Sequence, residues 1–128
     1  MIKKAMGLLS FTAALAVAVP MAMAEGDPAA GEKVFKKCKA CHVIDSDKNR
    51  LGPTLSGLFG RTSGAVEGFQ KKYSPAMKEA GIVWDEATLD AYLADPKGYI
   101  PKNKMAFPGL KKEDDRANII AYMKQAGG

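Results

Sequence analysis

Cys38-Lys39-Ala40-Cys41-His42 contains both cysteines and the only histidine of the chain. The spacing is C-x-x-C-H, the sequence form of covalent attachment of a c-type haem. Two thiols one helical turn apart can each bond a vinyl group of one porphyrin. A histidine directly after them is then placed to bind the iron. Three other chemistries use some of these residues. A disulfide takes the two cysteines and leaves the histidine idle. A redox C-x-x-C belongs beside a βαβ pattern, and no strand-rich region is visible. A structural zinc site is one ligand short. Haem attachment uses all three residues and needs no further cysteine or histidine.

An iron that only passes electrons needs both axial positions filled. His42 is the candidate for one, through its neutral imidazole. With no second histidine, bis-histidine ligation within the chain is excluded, and Met/His ligation raises the reduction potential. Past residue 24 the methionines are Met77, Met105 and Met123. Methionine is a common core filler. Met123 falls in the apolar pattern of the last helix and Met77 in a short helix, so both read as packing. Met105 lies in Ile100-Pro101-Lys102-Asn103-Lys104-Met105-Ala106-Phe107-Pro108-Gly109, where two prolines and a glycine oppose regular structure. It belongs to no helical stripe, and prolines lower the entropy cost of holding a loop side chain in place. Met105 is the best placed of the three.

The elements that position these residues follow from the rest of the chain. Lys3 and Lys4, the apolar run Ala5 to Val19, Pro20 and the small residues of Ala22-Met23-Ala24 read as a secretory signal cleaved after Ala24. The run is shorter than the roughly 18 apolar residues of a spanning helix. Without residues 1–24 the formal charge falls from +5 to +3, with 17 basic against 14 acidic residues. Residues 25–128 then form one domain, small for a single core, and a buried macrocycle would supply much of its apolar centre. Export implies an oxidising compartment, here the periplasm.

Asp27-Pro28 starts a helix that runs into the haem motif, with Val34, Phe35 and Cys38 at helical spacing. Gly31 inside it costs about 1 kcal/mol against alanine, and close approach of another helix would explain it. Residues 43–73 have no sustained period and read as ordered loop, given Leu51, Leu55, Leu58 and Phe59. Ser74-Pro75 opens a short helix ending at Gly81. Asp85 caps a helix over Glu86 to Ala94, and a short turn covers Lys97 to Ile100. The last helix spans about Lys112 to Ala126, with acids in its first turn and Lys124 in its last. The fold class is all-α, about four or five helices with long loops.

These stretches resemble class I cytochrome c, of the mitochondrial and bacterial c2 type. The matching segments are Gly31 to Phe35 with the haem motif, Leu51 to Arg61, Gly81 to Trp84, Tyr92-Leu93, Asp95 to Lys97, Tyr99 to Pro101, Lys104-Met105 with Phe107, and Ile120 to Tyr122. The resemblance implies loops wrapped around one haem c, attached through Cys38 and Cys41, with the N- and C-terminal helices crossing. It implies His42 and Met105 as iron ligands, with the Pro53 carbonyl accepting the free N–H of His42. Tyr92 would lie near the Met105 sulfur, and Arg61, Tyr73 and Trp84 around the haem propionates. Gly31 and Phe35 would pack on Tyr122. The chain departs from the family pattern at Lys102-Asn103, where Gly-Thr is usual, and there Asn103 would be the propionate donor. Ser74 takes a threonine position, Met77 an asparagine position, and Gly68 to Gly81 is about two residues longer.

The resemblance implies a soluble periplasmic one-electron carrier and not an enzyme. It would take electrons from a quinol–cytochrome c reductase and pass them to a terminal oxidase or a photosynthetic reaction centre. The alternative is a haem enzyme or gas or redox sensor with a labile distal site, but the sole histidine is committed to iron and none remains for acid–base work. A disulfide-linked binding domain leaves the Pro-Lys-Met loop unexplained. Lys36, Lys37, Lys39, Lys102 and Lys104 flank both ends of the inferred iron axis and form a candidate docking ring for acidic patches on redox partners. Nucleic acid is not an expected partner, and a monomer is expected.

Overall fold

The computed structural model describes Gly7 and residues 25–128. The proposed leader, with Lys3, Lys4 and the cleavage site after Ala24, otherwise lies outside the described residues.

Among the described residues five α-helices carry the fold: α1 Pro28–Phe35, α2 Pro75–Glu79, α3 Glu86–Ala94, α4 Pro96–Tyr99 and α5 Glu113–Gly127. A short 3-10 turn over Glu67–Phe69 interrupts the long loop. Among the described residues the only β pairing is an isolated antiparallel bridge between Thr62 and Val83. None of these helices is long and apolar enough to cross a membrane.

Local chemistry sets the helix starts. The Asp27 carboxylate accepts from the Ala29 N–H, with Pro28 in the first position. Ser74 accepts from Met77 N–H ahead of Pro75. Asp85 and Thr88 close a reciprocal capping box on α3. One helix differs from the sequence expectation. α1 stops at Phe35, before the haem motif, because Lys36, Lys37 and Cys38 tighten into i−3 bonds to Lys33, Val34 and Phe35. The motif therefore sits on a coil of turns, closed by the His42 N–H donating to Cys38 at 2.9 Å.

The terminal helices cross at Gly31. A β-carbon there would lie 1.9 Å from the Asn118 carbonyl oxygen, so the two backbones touch. Phe35 is buried in the crossing, with its ring centroid 5.2 Å from that of Tyr122. α5 buries Ile119, Ile120 and Met123 and also packs on α3. α3 contributes Leu89, Tyr92 and Leu93 to the same core. Arg116 joins α5 to α3 through Asp90 at 2.8 Å, and donates to the Leu110 and Lys111 carbonyls. That clamp fixes the exit of the loop bearing Met105.

Candidate haem site

The turn after α1 sets Cys38 and Cys41 one turn apart, both half-buried and not joined to each other. Burial pushes the Cys38 thiol up to about 11; Cys41 adds to the rise and Lys37 opposes it. The folded site thus holds a protonated sulfur, the less nucleophilic form.

His42 Nδ1 lies 2.7 Å from the Pro53 carbonyl oxygen. A carbonyl can only accept, so Nδ1 carries the proton and Nε2 keeps its lone pair. Burial lowers the imidazole pKa below its ordinary value, which favours the neutral ring, while the Pro53 bond opposes it. A neutral, oriented imidazole with a free Nε2 is what a metal needs. Gly52 packs flat on the ring: a β-carbon there would be 2.2 Å from Cε1. The family resemblance anticipated Pro53 against His42, but nothing in the sequence pointed to this contact of Gly52. The loop itself is braced by buried Thr54, whose hydroxyl donates to the Ser46 carbonyl at 2.5 Å and whose N–H donates to Asn49.

Among the described methionines, Met77, Met105 and Met123, the Met105 sulfur is the one given a hydroxyl partner. The buried Tyr92 hydroxyl points at it from 3.7 Å. Burial holds the Tyr92 phenol well above the usual tyrosine range, so the group stays a donor. Met123 is buried in α5, and Met77 packs against the core from α2.

Arg61, Tyr73 and Trp84 come together on the remaining side. Arg61 accepts the Trp84 backbone N–H at 2.9 Å. Its guanidinium donates to the Thr54 carbonyl at 2.7 Å and to the Ser56 carbonyl, leaving other donors for a carboxylate. Burial lowers the Arg61 pKa somewhat, with Tyr73 raising it, and the group remains charged. Burial also raises the Tyr73 pKa. Trp84 is buried against Tyr92, with ring centroids 5.1 Å apart. Asn103 departs from its expected place. Both of its amide hydrogens go to the Pro96 and Ile100 carbonyls, so none is left for a propionate. Lys36, Lys37, Lys39, Lys102 and Lys104 are all exposed.

The donor set fits a covalently held haem: two unpaired thiols, an imidazole with Nε2 free, a thioether with a hydroxyl donor, and a half-buried guanidinium with spare N–H groups. The comparisons agree. The family described as Cytochrome c matches residues 28–127. Cytochrome c-554 of Methylosinus trichosporium is 47% identical over 127 residues, 97% of this chain and 95% of that protein. Cytochrome c of Chlamydomonas reinhardtii is 55% identical over 103 residues, 79% of this chain and 90% of that one. The solved structure of cytochrome cH from Methylobacterium extorquens superimposes with a TM-score of 0.73 at 46% identity, covering 78% of this chain and 99% of that one. The family match over nearly the whole described region, with the attachment motif intact, places the chain in the cytochrome c family, electron carriers with covalently attached haem c.

Proposed function

We propose that the chain is an exported, periplasmic one-electron carrier whose iron is held by His42 and Met105. When bound, haem c supplies an iron that gains and loses one electron. The observation that carries the reading is the pairing of an oriented His42, with Nε2 free, and a Met105 sulfur facing a permanent hydroxyl donor. Cys38 and Cys41 would hold the porphyrin covalently. Pro53 fixes the His42 ring and strengthens it as a ligand. Tyr92 fixes the Met105 thioether. Arg61, with Tyr73 beside it and its backbone bonded to that of Trp84, would neutralise propionate charge. With His42 and Met105 both holding the iron, no position would be left for O2 or peroxide, and little rearrangement would accompany electron transfer.

Electrons would come from a quinol–cytochrome c reductase and go to a terminal oxidase or photosynthetic reaction centre. The exposed Lys36, Lys37, Lys39, Lys102 and Lys104 supply the docking charge. Stopped-flow reduction by such a reductase tests this. The rate falls steeply with salt, and Lys37→Gln with Lys104→Gln slows it at low ionic strength. A rate independent of both salt and these lysines contradicts the docking face.

A further inference from the structure

We infer that Asn103 is a latch for the distal ligand: its side chain ties the backbone of Met105 to α4 and so sets how readily Met105 leaves the iron. This rests on the assignment of Met105 as distal ligand. Asn103 is 3% exposed, and every polar atom it has is used inside the protein. Its amide nitrogen donates to the Pro96 carbonyl at 2.8 Å and the Ile100 carbonyl at 2.9 Å. Its Oδ1 accepts from the Met105 N–H at 2.9 Å. Its own N–H donates to Ile100, and its carbonyl accepts from Lys97 Nζ. Rotating the amide by half a turn would set oxygen against two carbonyls and NH2 against an N–H, so the network admits one orientation.

The anchors are rigid. Pro96 and Ile100 are buried at the two ends of α4. The residue just before the latch is strained: Lys102 sits at φ 67, in the left-handed region that a residue with a β-carbon rarely adopts. Such a backbone persists only where its surroundings impose it, and the Asn103 network is what imposes it here. A free loop would relax Lys102 and carry Met105 with it.

The test uses holoprotein and imidazole, which competes for the distal position of ferric iron. Asn103→Ala binds imidazole tenfold or more tightly than the parent, while the sulfur-to-iron charge-transfer absorption is still present without imidazole. Asn103→Asp keeps the acceptor for Met105 and loses both donors, and it also tightens imidazole binding. Asn103→Thr retains one bond and falls between; it decides the matter if Asn103→Ala does not accumulate with haem. Ser63→Ala removes another buried bond, to the Ile82 N–H outside the Asn103 network, and leaves imidazole affinity within twofold. In a Met105→Ala background, Asn103→Ala changes the affinity less than twofold. If Met105→Ala opens the iron but Asn103→Ala stays within twofold of the parent, or Ser63→Ala matches Asn103→Ala, the latch is wrong. If Met105→Ala keeps the charge-transfer absorption, the ligand assignment itself has failed.

Discussion

His42 Nδ1 and the Pro53 carbonyl lie 2.7 Å apart, and Gly52 is pressed on the same ring. The bond and the missing side chain act together: one aims the imidazole, the other leaves room for it. Gly52→Ala puts a methyl 2.2 Å from Cε1, which forces the ring off its acceptor. Overpacking of this kind costs about 1–3 kcal/mol. The reduction potential rises as well, because His42 without its N–H···O bond is a weaker donor to ferric iron. Denaturant unfolding and spectroelectrochemistry read the two effects; an unchanged potential would show that the bond survives.

Gly31→Ala tests the helix crossing. Its methyl would overlap the Asn118 carbonyl, which is backbone and cannot rotate away. The holoprotein loses about 3 kcal/mol, the upper end for overpacking, measured by guanidinium unfolding. A midpoint equal to the parent's would mean that α1 and α5 do not meet backbone to backbone.

Lys102→Gly relieves the left-handed strain at φ 67. The gain is offset in part by the greater freedom of glycine in the unfolded chain, so the net effect is about 0.5–1 kcal/mol of added stability. Thermal unfolding shows the gain, and stopped-flow kinetics separately report the lost docking charge. A less stable variant would rule out strain at this position.

Asp85 gives a pH dependence with a defined sign. Its hydrogen bonds to the Thr88 N–H and hydroxyl hold its carboxyl below the ordinary range. A depressed folded pKa means that the cap stabilises above the unfolded carboxylate pKa and is lost as pH falls through the folded one. Asp85→Ala is therefore less stable than the parent at neutral pH, and the gap closes on acidification. A gap that widens toward acid pH would reverse the sign and refute the cap.

What was legible in the sequence was local. Asp27, Ser74 and Asp85 announce their helices because a cap bonds within three residues of itself. C-x-x-C-H announces the cofactor because its chemistry is contiguous. The end of α1 was misplaced because the apolar spacing of Val34, Phe35 and Cys38 continues through a backbone that has already tightened. Asn103 was misassigned because its partners, Pro96 and Ile100, reach it only after α4 has turned the chain back. The Gly52 contact with His42 was invisible for the same reason: they lie ten positions apart, and nothing at Gly52 itself marks the ring. Gly31 was the long-range contact that a residue itself signalled, since a glycine inside a helix already asks what lies against it; the His42–Pro53 and Tyr92–Met105 contacts were reached only through the family resemblance.

The central claim is that His42 and Met105 close the iron from both sides. Carbon monoxide binding to the reduced protein tests it most directly. The parent stays closed, and Met105→Ala binds carbon monoxide with the absorption change of a ligand entering a vacant axial position. A Met105→Ala protein as closed as its parent, with the charge-transfer absorption of a methionine-ligated ferric haem intact, would contradict the assignment.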